Sequence, residues 1–293
     1  MDTSEKITLR VSELIAKYST SSKSVHYLLC DQYPATKLAY KIINENMEEY
    51  ALSYGELKTQ SILIANGLKQ RGVKKGDRIA TLMGKSKEYI ITLLAIWRIG
   101  AVHVPLFTAF STPAITLRVN GSNSKIVFCD QKQQSKLKPS DDFAPNGKVE
   151  VITTASFDQT PNWASRWEDL LATDKSLKEE VSLDPEAPII HIFTSGTTGE
   201  PKGVSLPVKA LSCIEAYAEF AYDLRQTDVF WNAADPGWAY GLYCGILATL
   251  TTGTPAILFE GGFSAQATID IIEKQKITNF AAAPTVYRSL RAD

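Results

Sequence analysis

The sequence predicts an α/β protein in which layered, largely parallel sheets are flanked by helices. Short apolar strands alternate with helical patterns along most of the chain, and helix-capping residues stand at the joints. At 293 residues there is room for one large domain or two ordinary ones, so a sizeable core is available. Strand and helix alternating in this way indicates sheets whose strands run mostly in one direction.

Ser53-Tyr54-Gly55-Glu56 has the Ser-x-x-Glu form of a capping box and predicts a helix over about 54–70, closed before Gly72. "DRIATLM" reads as a strand, and Ser86 can cap "KEYIITLLAIWRIG", apolar enough for a buried helix ending at Gly100. "AVHVPLF" is the next strand, and Thr112-Pro113 opens another helix. "KIVFCD", "KVEVIT" and "APIIHIFT" read as strands, and "VKALSCIEAYAEFAYDL" as a helix. "DVFWNA", "PAILF" and "TNFAAA" complete the strands, separated by helical patterns at about 239–251 and 265–275. Two polar segments, "QKQQSKLKPSDDFAPNGK" and the stretch from Asp158 to Pro188, read as surface connections, the second with a short helix from about Trp167 to Ala172. They suggest two α/β subdomains, 1–180 and 181–293.

Lys and Arg number 31 against 32 Asp and Glu, so no overall field favours nucleic acid or an anionic membrane, and phosphate recognition must be local. Cys30, Cys129, Cys213 and Cys244 form no C-x-x-C pair and have no zinc-like spacing, and they read as reduced, buried thiols of a cytoplasmic protein. The N-terminus lacks the apolar stretch of a secretory signal. The longest apolar window is broken by Gly253 and Pro255 and falls short of the roughly 20 residues of a membrane span. His103 and His191 fall inside strands, where a core role is expected, and His26 has no motif around it.

One stretch carries chemistry. "FTSGTTGEPKGVSL", Phe193 to Leu206, follows an apolar strand and concentrates glycine, hydroxyl residues and a lysine. Gly196, Gly199 and Gly203 can turn backbone N–H groups toward one point, Ser195, Thr197 and Thr198 add hydroxyl donors, and Lys202 supplies a mobile positive charge. This is a nest for an anion, though a hydroxyl-rich hairpin turn without a ligand has similar parts. A Walker A loop does not fit, because Pro201 stands where its second glycine must be, and no G-x-G-x-x-G occurs.

"TSGTTGEPKGV" resembles the signature phosphate loop of the AMP-forming acyl-CoA synthetases, the adenylate-forming ligase superfamily. "LSYGELKTQSILIANGL" and "RIGAVHVPLFTAF" are similar to upstream motifs of that family, and the likeness runs from about residue 30 to the end of the chain. "FWNAADPGWAYGLYCGILATLTTGTPAILFEGGF" and "ITNFAAAPTVYRSL" resemble the acetyl-CoA and medium-chain acyl-CoA synthetase branch. The resemblance implies the large N-terminal domain of such a ligase. It also implies ATP-dependent conversion of a short- or medium-chain acid to an acyl-adenylate and then to acyl-CoA, with release of pyrophosphate and AMP. ATP, Mg2+ and coenzyme A would be the small-molecule partners, with no nucleic acid and no membrane span.

By the same resemblance Thr194, Ser195, Gly196, Thr197, Thr198, Gly199 and Lys202 would hold the ATP phosphates, and Trp238 and Gly262 would line the acyl pocket. An unaided reading makes Trp238 as much a packing residue as a pocket residue. The 293 residues contain neither the aromatic-Gly-x-Thr-Glu segment that would supply a magnesium-binding Glu nor the C-terminal domain with its catalytic Lys. The expectation is therefore an incomplete chain with little activity alone, the alternative being a non-catalytic nucleotide- or partner-binding module.

Overall fold

The computed structural model describes residues 3–20, 23–171, 181–194 and 201–292. Helix α1 (Thr3–Ser19) precedes a hairpin of β1 (Leu38–Ile43) and β2 (Glu49–Ser53). Then follow α2 (Tyr54–Gln70), β3 (Arg78–Leu82), α3 (Lys87–Arg98), β4 (Val102–Pro105), α4 (Thr112–Ser122), β5 (Ser124–Cys129), β6 (Glu150–Thr153) and β7 (Ser165–Arg166). Beyond residue 180 come β8 (Pro188–Thr194), β9 (Lys202–Pro207), α5 (Leu211–Phe220) and β10 (Phe230–Asn232). A π-helical turn, Gly241–Leu247, runs into α6 (Ala248–Thr252), followed by β11 (Ala256–Phe259), α7 (Ala265–Gln275), β12 (Asn279–Ala281) and α8 (Pro284–Ala292).

The strands form two sheets, one of five in the order β12-β10-β11-β1-β2 and one of seven in the order β7-β6-β5-β3-β4-β8-β9. All pairings are parallel except at one edge of each sheet, where β2 joins β1 and β9 joins β8 antiparallel. The layered, largely parallel α/β class is the one predicted. Each sheet draws strands from both sides of residue 180: β1 and β2 complete the sheet of β10 to β12, while β8 and β9 extend the sheet of β3 to β7.

Local chemistry explains the helix limits. Ser53 accepts from the Glu56 backbone N–H while the Glu56 carboxylate accepts from the Ser53 N–H, the complete capping box of α2. Ser86 caps α3 by accepting from the Tyr89 N–H. All of α3 from Tyr89 to Arg98 is buried. Its terminal Arg98 is tolerated there because Asp31 pairs with its guanidinium and Ser61 accepts from Nε at 2.7 Å.

Some expectations are corrected. The short helix placed over 167–172 is a single 3-10 turn, Glu168–Leu170, and residue 172 lies outside the described residues. Cys30 and Cys129 are buried, but Cys213 is exposed and Cys244 half-buried, because both face a cavity rather than the core. His103 fits the core reading: it is fully buried with Nε2 2.8 Å from the Thr81 hydroxyl. His191 is only partly buried and sits against Phe193.

Candidate active-site cleft

Crossovers in the seven-stranded sheet run outward from β3, to β4 on one side and to β5, β6 and β7 on the other. Such a reversal opens a crevice at the carboxyl ends of the strands. A cleft of about 720 Å³ lies there, lined by Gly84 beyond β3, Thr108 beyond β4, Asp130 beyond β5 and Thr154 beyond β6. The facing wall consists of the carboxyl ends of the other sheet's parallel strands: Asn44 beyond β1, Ala233 and Asp235 beyond β10, and Glu260 to Phe263 beyond β11. The start of α3 also opens on the cleft, through Lys85 and the capping Ser86 just ahead of it and Glu88 in its first turn, and a helix N-terminus favours anions.

Lys85 reaches across the cleft and donates to the Ala233 carbonyl at 2.9 Å. Burial pushes its ammonium down to about 8, against the opposing influence of the Asp235 charge. Asp235 accepts from the Thr108 hydroxyl and, at 2.7 Å, from the Gly237 N–H, yet burial still raises its carboxyl above the usual range. Burial likewise raises Asp130, which accepts from the backbone N–H of Gly84 at 2.8 Å and of Gln133 at 3.1 Å. Glu260, raised by burial, accepts from the Tyr50 hydroxyl at 2.6 Å. The cleft therefore presents one ammonium held low by burial beside three carboxyls that burial raises above their usual range.

The predicted phosphate loop springs from the same edge of the sheet. Thr194 ends β8 and pairs in register with Lys202, which opens β9, and both are exposed. Ser195, Gly196, Thr197, Thr198 and Gly199 lie outside the described residues. The base of the hairpin is tight: a Cβ on Gly203 would stand 2.2 Å from His191 Nε2. Because β4 and β8 are parallel neighbours, Thr194 and the Leu106-Phe107 exit of β4 lie at one end of the sheet.

Trp238 is 53% exposed, and its ring centroid stands 5.1 Å from that of Phe107. Gly262 lines the polar cleft, with open space where a Cβ would project. Trp238 lines neither that cleft nor the apolar cavity of about 470 Å³ nearby, but the residues directly after it, Ala239, Tyr240, Tyr243 and Cys244, form one wall of the latter. Leu206 of β9 and Cys213, Ile214 and Tyr217 of α5 form the opposite wall. Sequence reasoning missed Lys85, Asp130 and Glu260 and took Asp235 only as motif context. Each stands just past the end of a parallel strand, which is the signal that could have found them.

Two largely parallel sheets whose carboxyl ends face each other across a polar cleft define an α/β protein with a crevice at the strand ends, where ligands of such sheets bind. The family model described as AMP-binding enzyme matches residues 30–293, and the chain belongs to that family. It is 34% identical over 265 residues to an acetyl-coenzyme A synthetase of Chlorobaculum tepidum, covering 84% of this chain and 40% of the relative. It is 33% identical to acetyl-coenzyme A synthetase 2 of Saccharomyces cerevisiae, covering 87% and 40%. Among solved structures it is similar to a Brucella canis acyl-CoA synthetase, with a TM-score of 0.89 at 34% identity, covering 96% of this chain and 52% of that one. The chain thus spans about 40% of the length of these curated relatives. Among the described residues no helix is long and apolar enough to cross a membrane.

Proposed function

We propose that this protein serves the ATP-dependent activation of a short- or medium-chain carboxylic acid. The acid carboxylate attacks the α-phosphorus of ATP, and the bond to pyrophosphate breaks. The thiol sulfur of coenzyme A then attacks the acyl carbon, the bond to AMP breaks and the thiol proton is lost. The observation carrying this reading is the pairing of Thr194 with Lys202 at the base of the Thr-Ser-Gly-Thr-Thr-Gly loop, on the carboxyl edge of the parallel sheet. Family membership and the acetyl-coenzyme A synthetase relatives support it.

In this reading the loop from Thr194 to Gly199 donates N–H and hydroxyl groups to the β- and γ-phosphates, and Lys202 adds charge where it builds up. A Mg2+ ion would be carried chiefly by the ATP phosphates, with one or two carboxylates completing its shell, and no step is assigned to it. Gly262 leaves room for a substrate to approach, and Trp238, exposed beside Phe107, is the aromatic of the acyl pocket in this reading. The apolar cavity beyond Trp238 takes the hydrocarbon part of the acid, since its polar lining is small and its walls continue directly from the loop strand β9 and from Trp238. Free cysteines support a cytoplasmic setting.

Calorimetric titration with ATP tests the loop. Charged hydrogen bonds are worth about 1.5–3 kcal/mol, so Lys202→Ala is expected to weaken ATP binding by roughly ten- to a hundredfold. Equal ATP affinity in the two proteins would overturn the assignment. Pyrophosphate release with acetate, butyrate and octanoate separates the catalytic reading from that of a nucleotide-binding module, which would bind ATP and release none.

A further inference from the structure

We infer that α1 sets the width of the apolar cavity, and with it the length of acid tail accepted, by holding α5 through Glu215. The tail-length part rests on the reading of the cavity given above. Helix α1 lies ahead of the family model's match, which begins at residue 30. It packs along α5, the helix that supplies one cavity wall.

The two faces of α5 divide the labour. Cys213, Ile214 and Tyr217 project toward the cavity, whereas Glu215 and Glu219, one helical turn apart, lie on the opposite side and meet α1. Glu215 is 3% exposed. A carboxylate so buried must be matched by donors, and among the described residues its hydrogen bonds come from α1 alone: Lys17 Nζ at 2.7 and 3.1 Å, and the Tyr18 hydroxyl. Arg10 adds a two-pronged pair to Glu219 at 2.6 and 2.9 Å and stands 3.6 Å from Glu215. Tyr18 is itself 1% exposed, so the contact is rooted in the core rather than resting on a solvated face. Helix α5 is therefore clamped from behind, and the cavity in front of it keeps its width only while α1 stays docked. Glu215 is a positioning residue: it touches no substrate and acts through Ile214 and Tyr217.

Two cysteines report the width directly. Cys213 is exposed on α5, and Cys244 sits half-buried on the facing wall, where burial raises its thiol. Alkylation with N-ethylmaleimide gives the rate ratio of Cys244 to Cys213, with protection by acetate, hexanoate, octanoate and dodecanoate measured alongside. In the double variant Lys17→Met, Tyr18→Phe the ratio is expected to rise about tenfold, because opening of α5 exposes Cys244. The most protective acid is expected to become longer. An unchanged ratio and an unchanged acid series in a folded variant would overturn the inference and leave α1 as a stability element only.

Should the variant fail to fold, hydrogen exchange on the unmodified protein decides. The α5 amides are expected to open together with those of α1, and α5 staying protected while α1 exchanges would overturn the brace. If no acid protects Cys244 in the unmodified protein, the cavity's assignment to the acid tail falls, and control of its width stands or falls on the alkylation ratio.

Discussion

Lys85 allows a quantitative test of the cleft. Its ammonium is held at about 8 by burial, whereas an unfolded lysine titrates near 10.4. The folded protein thus binds this proton more weakly than the unfolded chain. Between the two values the unfolded state carries the extra proton, so the contribution of Lys85 to stability increases with pH through that window and is flat below it. Integrated from pH 7 to pH 9.5, the gain is about 2 kcal/mol. Lys85→Met keeps the length of the side chain and cannot titrate. At pH 7 its net effect should be small, since relief of roughly 3 kcal/mol of charge burial offsets the loss of a charged hydrogen bond to Ala233 worth about 1.5–3 kcal/mol. The pH dependence is the cleaner observable. Cys30 and Cys129, pushed up to about 12 by burial, pull the other way at high pH, but they do so equally in both proteins and cancel in the comparison. Urea denaturation at pH 7 and pH 9.5 should show the wild type gaining about 2 kcal/mol relative to Lys85→Met. Parallel changes, agreeing within about 0.5 kcal/mol, would refute the claim that the ammonium is buried in the cleft wall.

Other outcomes follow from single sites. Gly237→Ala would put a Cβ 2.2 Å from the Leu106 carbonyl oxygen, and is expected to cost 2 kcal/mol or more, roughly, in urea denaturation while raising the mobility of Trp238 fluorescence. Arg98→Met leaves the Asp31 carboxylate buried without its main partner, and a loss of about 3–5 kcal/mol is expected by thermal melting. Burial, helped by the nearby Arg98 charge, holds His26 down at about 4, so the unfolded chain takes up a proton below about pH 6.5 that the native state refuses. Stability should fall by up to roughly 3 kcal/mol between pH 6.5 and 4, and His26→Gln should flatten that part of the curve. Ser53→Ala removes the α2 cap and should cost about 1 kcal/mol, read from the denaturation midpoint.

The parts of the fold legible in the sequence are those whose cause is local. Ser53 with Glu56, and Ser86 before an unbroken apolar run, announce α2 and α3 because cap and helix are contiguous. The hairpin of β1 and β2 was not anticipated: β1 is secured by pairing Tyr40 to Ala256 and Ile43 to Phe259, more than 200 residues on. Helix α1 was missed although Val11, Leu14, Ile15 and Tyr18 stand at helical spacing and Leu14 and Tyr18 are deeply buried; what sequence spacing could not show is its hold on α5 through polar pairs about 200 residues apart. Strand β9 begins with Lys-Gly and is exposed over its first four residues, so it lacks the alternation that marks a half-buried strand. Within the site, the glycines and hydroxyls of the loop are conspicuous as composition. Lys85, Asp130 and Asp235 are single polar residues in turns, and only the strand order 5-3-4 in one sheet and 10-11 in the other brings them to a common cleft.

The segment from Ala233 to Trp238 shows why that convergence matters for chemistry. It leaves the five-stranded sheet at the end of β10 but is held chiefly by the seven-stranded one. Lys85 donates to the Ala233 carbonyl, Tyr89 donates to the Pro236 carbonyl at 3.2 Å, Thr108 donates to Asp235, and the Phe107 ring supports Trp238. Two glycines fix its path: at Gly237 a Cβ would meet Leu106, and at Gly241 it would stand 2.0 Å from the Asp235 carbonyl oxygen. The position of Trp238 is therefore set by both sheets at once. A shift of one sheet against the other must either break these bonds or carry the tryptophan with it, while Thr194 and Lys202 stay with the seven-stranded sheet alone. Geometry between the Thr194–Lys202 pair and the Trp238 segment is consequently sensitive to packing between the sheets. If the proposed function holds, substitutions in that packing far from the cleft are expected to alter how an acid and a triphosphate meet before they alter how tightly either is held.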